Sequence, residues 1–240
     1  CDMPCQVPVH LVGDPLRLRQ ILVNLIGNAI KFTDEGEVLV RVEVASQTPQ
    51  EVSLRFSVTD TGVGIPPENL AKLFAPFSQA EASTTRRYGG TGLGLSIAAT
   101  LVSLLGGRLS VESEPGGGST FAFDARFGRQ SEEVEQPPLE EVFLPLLRDL
   151  PVLVVAGHPT CRRLVGQTLR DWALQPALAA SVGEALATAQ QRELAGQPFE
   201  LLIVDVGVLA GDEQALDQYL RRRRPPRLAT VLMVPRGARD

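Results

Sequence analysis

The chain has 240 residues, 44% of them hydrophobic and 21% charged, a composition that excludes a disordered polymer and suits one large or two ordinary globular domains. A net charge of -5, with no sustained basic stripe apart from Arg221 to Arg224, argues against nucleic acid as a main partner, and that Arg run reads as a solvated helix end. No apolar run of about 18 residues is present to span a bilayer, and no basic segment with an apolar core and cleavage site opens the chain; a cytoplasmic location is expected, whether or not a longer parent is anchored in a membrane.

In chain order, CDMPC stands directly before strand-like VPVHLV and reads as a piece cut from something longer. Cys1, Cys5 and Cys161 are odd in number and lack CxxC spacing, which supports neither a disulfide framework nor zinc and suggests a reducing compartment. Asp14-Pro15 then supplies a helix start, Asp as cap and Pro in the first turn, and the helix should run to about Lys31. On it Asn24, Asn28 and Lys31 fall at i, i+4 and i+7, one line along the surface, while Leu18, Leu22, Leu25, Ile26 and Ala29 lie on the side that would pack on a sheet. An amide oxygen is a hard neutral ligand for Mg²⁺ and a Lys brings charge to phosphate oxygens. A solvated polar face fits these residues equally well when they are taken alone, although Asn is a poor helix former and two of them need a reason.

The β-type run FSVT leads into DTGVGIP, where Asp60 accepts hydrogen bonds without donating any, as an exocyclic amine requires, and Gly62 and Gly64 let the backbone approach a ligand closely. A plain Asp-Gly turn is the bland alternative. An aspartic protease dyad fits poorly because the motif occurs once, and a dinucleotide fingerprint fails because Pro66 and Pro67 stand where its third Gly and helix belong. Next, Gln79 to Tyr88, with Arg86 and Arg87, reads as a lid or as a simple exposed loop. Gly89, Gly90, Gly92 and Gly94 then precede an apolar-faced helix whose free N-terminal N–H groups can bind phosphate; no GK[ST] follows, so this is not a P-loop. A strand pair around EPGGG closes this part near Phe127.

These segments, in this order, resemble the ATP-binding catalytic domain of sensor histidine kinases: Leu16 to Thr33 is similar to the N box, Asp60 to Pro66 to the G1 box, LFAPF (Leu73 to Phe77) to the F box and Gly90 to Leu95 to the G2 box. The resemblance covers about residues 7 to 127. It implies that Asn28 holds Mg²⁺, that Asn24 and Lys31 contact phosphates, that Arg87 reaches the γ-phosphate, that Asp60 binds adenine, that Thr120 supports the adenine through a water, and that Gly62, Gly64, Gly90, Gly92, Gly94 and Leu95 line the nucleotide. Hydrolases of the same superfamily, such as gyrase, Hsp90 and MutL-like ATPases, carry a Glu four residues before the Mg²⁺ Asn; here that position is Asn24. An amide cannot take a proton from water, so transfer to a histidine is expected over hydrolysis. The family places that His on a dimeric helical hairpin, and neither His10 nor His158 lies in such a motif, so a hairpin of the same parent protein is the expected partner and the isolated chain is expected to be incomplete for autophosphorylation.

Gly128 to about Leu150 turns polar and acidic around Pro137 and Pro138, the composition of a linker, and ends in apolar VFLPLLRDL. From Pro151 a βαβαβαβ rhythm resembles a response-regulator receiver. Asp205, at the end of LLIVD, stands where the phosphoaccepting Asp would be, yet Ala156, Gly157 and His158 replace the family's paired acids and Pro235 its Ser or Thr, which argues against phosphorylation of Asp205. The expected fold class is therefore α/β: a two-layer α/β sandwich of the Bergerat ATP-binding type over 1–127, a linker over 128–150, and a partial doubly wound parallel, flavodoxin-like pseudo-receiver over 151–240, short of a last helix and strand. The expected function is the ATP-binding catalytic part of a two-component histidine kinase that serves a downstream response regulator or phosphotransfer protein. A non-catalytic nucleotide-binding signalling module and an ATP hydrolase of the same fold are the alternatives.

Overall fold

Helix α1 (Pro15–Lys31) begins where its cap lies: the Asp14 carboxylate accepts from the backbone N–H of Leu16 at 3.1 Å and of Arg17 at 3.0 Å, and Pro15 fills the first turn. The structure, a computed structural model, describes residues 1–4, 6–70, 72–75, 93–129, 147–222 and 228–234. The chain divides into two compact units, Cys1–Glu132 and Glu133–Asp240.

In the first unit, β1 (Leu11–Val12), β2 (Val38–Gln47), β3 (Glu51–Asp60), β4 (Leu109–Glu114) and β5 (Gly118–Arg129) make one antiparallel sheet in the order β1-β5-β3-β2, with β4 paired to β5. Side chains alternate between two faces. On one face Val52, Leu54, Phe56, Val58 and Asp60 of β3 stand opposite Phe127, Ala125, Phe123, Phe121 and Ser119 of β5, and all ten are buried. Of the intervening residues, Ser53, Arg55, Ser57, Thr59, Thr120, Asp124 and Arg126 are more open, and Ala122 is buried. Helices α1 and α3 (Gly94–Leu104) cover the buried face, giving the expected two layers; α2 (Pro67–Leu70) is a single turn after β3.

Ile21, Leu25 and Ala29 are the fully enclosed side chains of α1, and Leu18, Leu22 and Ile26 pack beside them. Ile21, at 0% exposure, begins an i, i+4, i+8 line with Leu25 and Ala29, a member beyond the side chains expected to face the sheet. Ala98 and Val102 of α3 meet the same cluster. At its centre Phe56 stacks on Phe123 with ring centroids 4.9 Å apart and meets Phe127 edge-on at 6.3 Å, geometries that add to the area they bury.

In the second unit, β6 (Pro151–Val155), β7 (Gln175–Ala179), β8 (Leu201–Asp205) and β9 (Ala229–Met233) form a parallel sheet in the order β7-β6-β8-β9. Continuous apolar runs fit strands covered on both sides. Val152 and Val154 pack with Leu169 of α4 (Pro159–Asp171), whereas Leu153 and Val155 pack with Ala185 and Ala189 of α5 (Val182–Leu194) and Leu216 of α6 (Glu213–Arg222). The alternate residues of one strand thus face different helices, which is the doubly wound arrangement expected. Leu150 packs against the Val152 cluster, and β5 extends to Arg129, so ordered structure enters both ends of the stretch assigned as linker. Arg221 pairs with Asp217 at 2.6 Å on an exposed helix end, while Arg223 and Arg224 of the same run lie outside the described residues.

Phe123 is buried at 1% exposure inside an aromatic cluster, so Phe123→Ala should destabilise the first unit by about 3–5 kcal/mol, read as a shift of its urea unfolding transition. A loss below about 1 kcal/mol would show that the cluster does not carry the core.

Candidate nucleotide site

Asp60 ends β3 on the helix-covered face, only 5% exposed. Its Oδ1 accepts the backbone N–H of Gly62 at 2.9 Å, and among the described residues its other oxygen has no partner. A carboxylate oxygen left without a protein donor can accept from an amine-bearing ligand that meets the sheet end.

The turn after Asp60 is wedged between two parts of the same unit. The N–H of Val63 donates to the carbonyl of Phe32 at the end of α1, and the N–H of Gly116 in the β4–β5 hairpin donates to the carbonyl of Val63. A Cβ on Gly62 would lie 2.1 Å from the Phe32 carbonyl oxygen, and one on Gly64, whose φ is +68°, would lie 1.9 Å from that of Glu114. Both glycines were expected to admit a ligand. In the described residues what comes close to them is protein backbone, so their role is to let this turn sit between helix and hairpin. Thr33 Oγ1, beside Gly62, is buried with no partner among the described residues.

Thr120 requires a correction. It was expected beside Asp60, but it stands on the opposite face of the sheet, its Oγ1 3.1 Å from that of Thr59. The residue in phase with Asp60 is Ser119, directly across the ladder and 7% exposed. The signal was available: in GSTFAFDARF the aromatics at 121, 123 and 127 mark the inward parity, and 119 shares it. An open depression near the hairpin is lined by Thr59, Glu112 and Thr120 from the uncovered face as well as by Asp60 and Ser119. It wraps the strand ends and is not the helix-covered cleft itself.

At the other end of the site α1 runs beside α3, and Asn24 Nδ2 donates to the carbonyl of Gly94 at 3.2 Å. This bond ties the amide line of α1 to the first turn of α3, where Leu93 occupies the cap position without a side-chain cap bond. The first-turn N–H groups of α3, which have no side-chain cap among the described residues, and its positive dipole end therefore lie beside Asn24. Asn28, one turn further along α1, is half-buried. Lys31 lies in the last turn with Nζ 5.0 Å from the centroid of the Phe32 ring, a cation–π contact. Gly94 begins α3 and Leu95 packs partly into the core. Arg87, Gly90 and Gly92, with the lid segment to which Arg87 belongs, lie outside the described residues.

In the second unit Asp205 ends β8, and its Oδ1 accepts from the N–H of Gly207 at 3.0 Å, capping a 3₁₀ turn over Val206–Val208. Beside it β6 gives way to Ala156, fully buried, and the Arg162 guanidinium donates to the carbonyls of Ala156 at 2.6 Å and Gly157 at 3.1 Å. No group of three His, Cys, Asp or Glu that could hold a metal occurs among the described residues. The Cys161 thiol is pushed above its ordinary range by burial and, second, by the Asp205 carboxylate. A raised thiol pKa means less thiolate at a given pH, so Asp205→Asn should speed alkylation of Cys161 near pH 8, measured by peptide mass mapping. An unchanged rate would mean that Asp205 does not sense this thiol.

The comparisons agree with this geometry. Residues 13–129 match the family model described as histidine kinase-, DNA gyrase B-, and HSP90-like ATPase. The chain is 42% identical over 168 residues to the sensor protein GacS of Pseudomonas syringae pv. syringae, 70% of this chain and 18% of that one. It is 50% identical over 122 residues to the signal transduction histidine-protein kinase BarA of Escherichia coli K12, 51% of this chain and 13% of that one. With the peroxide stress-activated histidine kinase mak2 of Schizosaccharomyces pombe it shares 31% identity over 246 residues, 98% of this chain and 10% of that one. The chain thus spans less than a fifth of the length of these relatives. The crystal structure of full-length ShkA in complex with AMPPNP aligns over 96% of this chain and 42% of that one, at a TM-score of 0.67 and 28% identity. Asp60 and Ser119 at the sheet end, the amide line tied to α3 and these matches together make residues 13–129 a member of the histidine kinase-, DNA gyrase B-, and HSP90-like ATPase family, in a chain homologous to sensor histidine kinases.

Proposed function

We propose that this chain is the catalytic part of a hybrid sensor histidine kinase, with ATP bound over residues 1–127, a linker over 128–150 and a pseudo-receiver over 151–240. The observation that carries this reading is the bond from Asn24 to the carbonyl of Gly94, because it brings the amide line and the uncapped start of α3 to one place, with Asp60 at the sheet end for the base. An oriented ATP would be gripped at both ends. The carboxylate of Asp60 accepts from the adenine amine, while the N–H groups of α3, Asn24, Lys31 and Arg87 meet the phosphates.

Mg²⁺ fits the donor set. The amide oxygen of Asn28 suits a hard cation that keeps most of its ligands as waters and phosphate oxygens, and a cage of carboxylates is not needed. When bound, the ion supplies charge neutralisation for phosphoryl transfer. Asn24 holds its amide where a hydrolase would hold a base, and a neutral imidazole needs none because it attacks through its own lone pair. The γ-phosphate therefore goes to a His on the dimerisation hairpin of the same parent protein, and from there to a response regulator or phosphotransfer protein. No helix among the described residues is long and apolar enough to cross a membrane, and we assign the chain to the cytoplasmic part of its parent.

The second unit takes no phosphoryl group in this reading. Arg162 caps the end of β6 with a fixed cation, and the carboxylates that would hold a metal beside Asp205 are replaced by Ala156 and Gly157. The unit acts through its surface.

The test is transfer of labelled γ-phosphate from ATP to a separately supplied hairpin that accepts phosphate from its own kinase. Labelling should be lost in Asn28→Ala and unchanged in Asp205→Asn. Asp60→Asn should weaken ATP binding by roughly 10- to 100-fold, the worth of a charge-assisted hydrogen bond. ATP binding without any transfer would make the chain a nucleotide-binding signalling module, and steady hydrolysis would make it an ATPase.

A further inference from the structure

We propose that Ser113 is a positioning residue that fixes the proton of Ser119 and thereby makes the site reject purines that carry a 6-oxo group. The proposal rests on the reading of Asp60 as the acceptor for the base. Ser113 stands opposite Ser119 on β4, as Asp60 does on β3, so the three share one row across the sheet on its helix-covered face.

Three contacts converge on the Ser113 hydroxyl. Its Oγ lies 2.8 Å from the backbone nitrogen of Ile65, 2.8 Å from the carbonyl oxygen of Gly118 and 2.9 Å from Oγ of Ser119. A serine hydroxyl has one proton and two lone pairs. The Ile65 N–H can only donate and the Gly118 carbonyl can only accept, so one lone pair of Ser113 takes Ile65 and its proton goes to Gly118. Only a lone pair is left for Ser119. The Ser119 hydroxyl must therefore be the donor in that contact, and among the described residues this is its one side-chain hydrogen bond.

The consequence lies in what Ser119 has left to offer. With its proton committed to Ser113 it presents only lone pairs, beside a carboxylate that also only accepts. A base edge arriving at this pair meets acceptors alone. An exocyclic amine is welcome there, and the carbonyl oxygen of hypoxanthine or guanine finds no donor. Asp60 by itself would leave a loophole, since a freely rotating serine opposite it could turn its O–H toward a 6-oxo group. Ser113 closes that loophole through a bond that also anchors the turn after Asp60, at Ile65, to the β4–β5 hairpin. The serine pair is thus both a brace for the turn and a polarity lock on the pocket.

The test is competition binding on the full chain, with ATP and ITP displacing a fluorescent adenine nucleotide, in wild type, Ser113→Ala, Ser113→Thr and the double variant Ser113→Ala/Ser119→Ala. The lock predicts that Ser113→Ala lowers the ATP-over-ITP preference by about fivefold or more, the worth of one hydrogen bond. It also predicts that Ser113→Thr keeps the preference and that the double variant regains it, because the freed proton is gone. A merely structural Ser113 weakens both nucleotides equally and leaves the ratio alone; that result overturns the proposal. A ratio that falls in the double variant as much as in the single one overturns it too. If Ser113→Ala does not fold, Ser113→Cys, with its weak donor and acceptor, carries the same comparison. Wild type that binds no ATP would instead sink the nucleotide reading itself, a separate outcome.

Discussion

The register of β3 on β5 is the constraint on which the rest of the first unit depends. It sets Asp60 opposite Ser119 and Phe56 opposite Phe123, so the same alternation that builds the aromatic core also delivers a carboxylate and a hydroxyl to its end. A slip of one residue in β3 would put Ser53, Arg55, Ser57 and Thr59 in the places of its core side chains and turn Asp60 out. The buried area of the ladder therefore protects the chemistry of the site. Stability and recognition are two readings of one register.

The site is assembled from three pieces far apart in sequence, joined by few and specific contacts. The turn after Asp60 reaches the end of α1 through Phe32 and the hairpin through Glu114 and Ser113, and α1 reaches α3 through Asn24 and Gly94. Apart from the Ser113 hydroxyl, which accepts the N–H of Ile65, each junction is a backbone carbonyl met at close range, which is why glycines and small polar side chains occupy these positions. A larger side chain at Gly62 or Gly64 would push the turn off its supports before any ligand was involved. The pocket is preorganised by the packing of its own walls.

The second unit shows the same economy put to a different end. Its four parallel strands bring Asp205 to the end of the sheet where a metal-assisted transfer would be expected in a receiver, but the neighbouring strand gives way to Ala156, whose carbonyl accepts from Arg162. A guanidinium bound to two carbonyls is a permanent positive charge that needs no ion and cannot be discharged. A shared scaffold does not by itself carry a chemistry, which lives in the side chains at its rim.

Sequence alone determined what depends on local chemistry and on period. The cap at Asp14-Pro15, the line of Asn24, Asn28 and Lys31, the alternation in FSVTD and FAFDARF, and the βαβ rhythm after Pro151 are each written in neighbouring residues, and they yielded both sheets and the acid and amides proposed for the site. The tertiary structure decided what depends on which segments touch. Ile21 completes the buried line of α1 because a sheet lies beneath it, Gly62 and Gly64 answer to distant carbonyls, and Thr120 yields its place to Ser119 because pairing with Asp60 fixes the parity of β5. Ser113 carried no motif at all; its meaning lies in three partners, Ile65, Gly118 and Ser119, that hydrogen-bond geometry brings to one oxygen. A one-dimensional pattern records what a residue can donate or accept, and only the folded chain settles to whom.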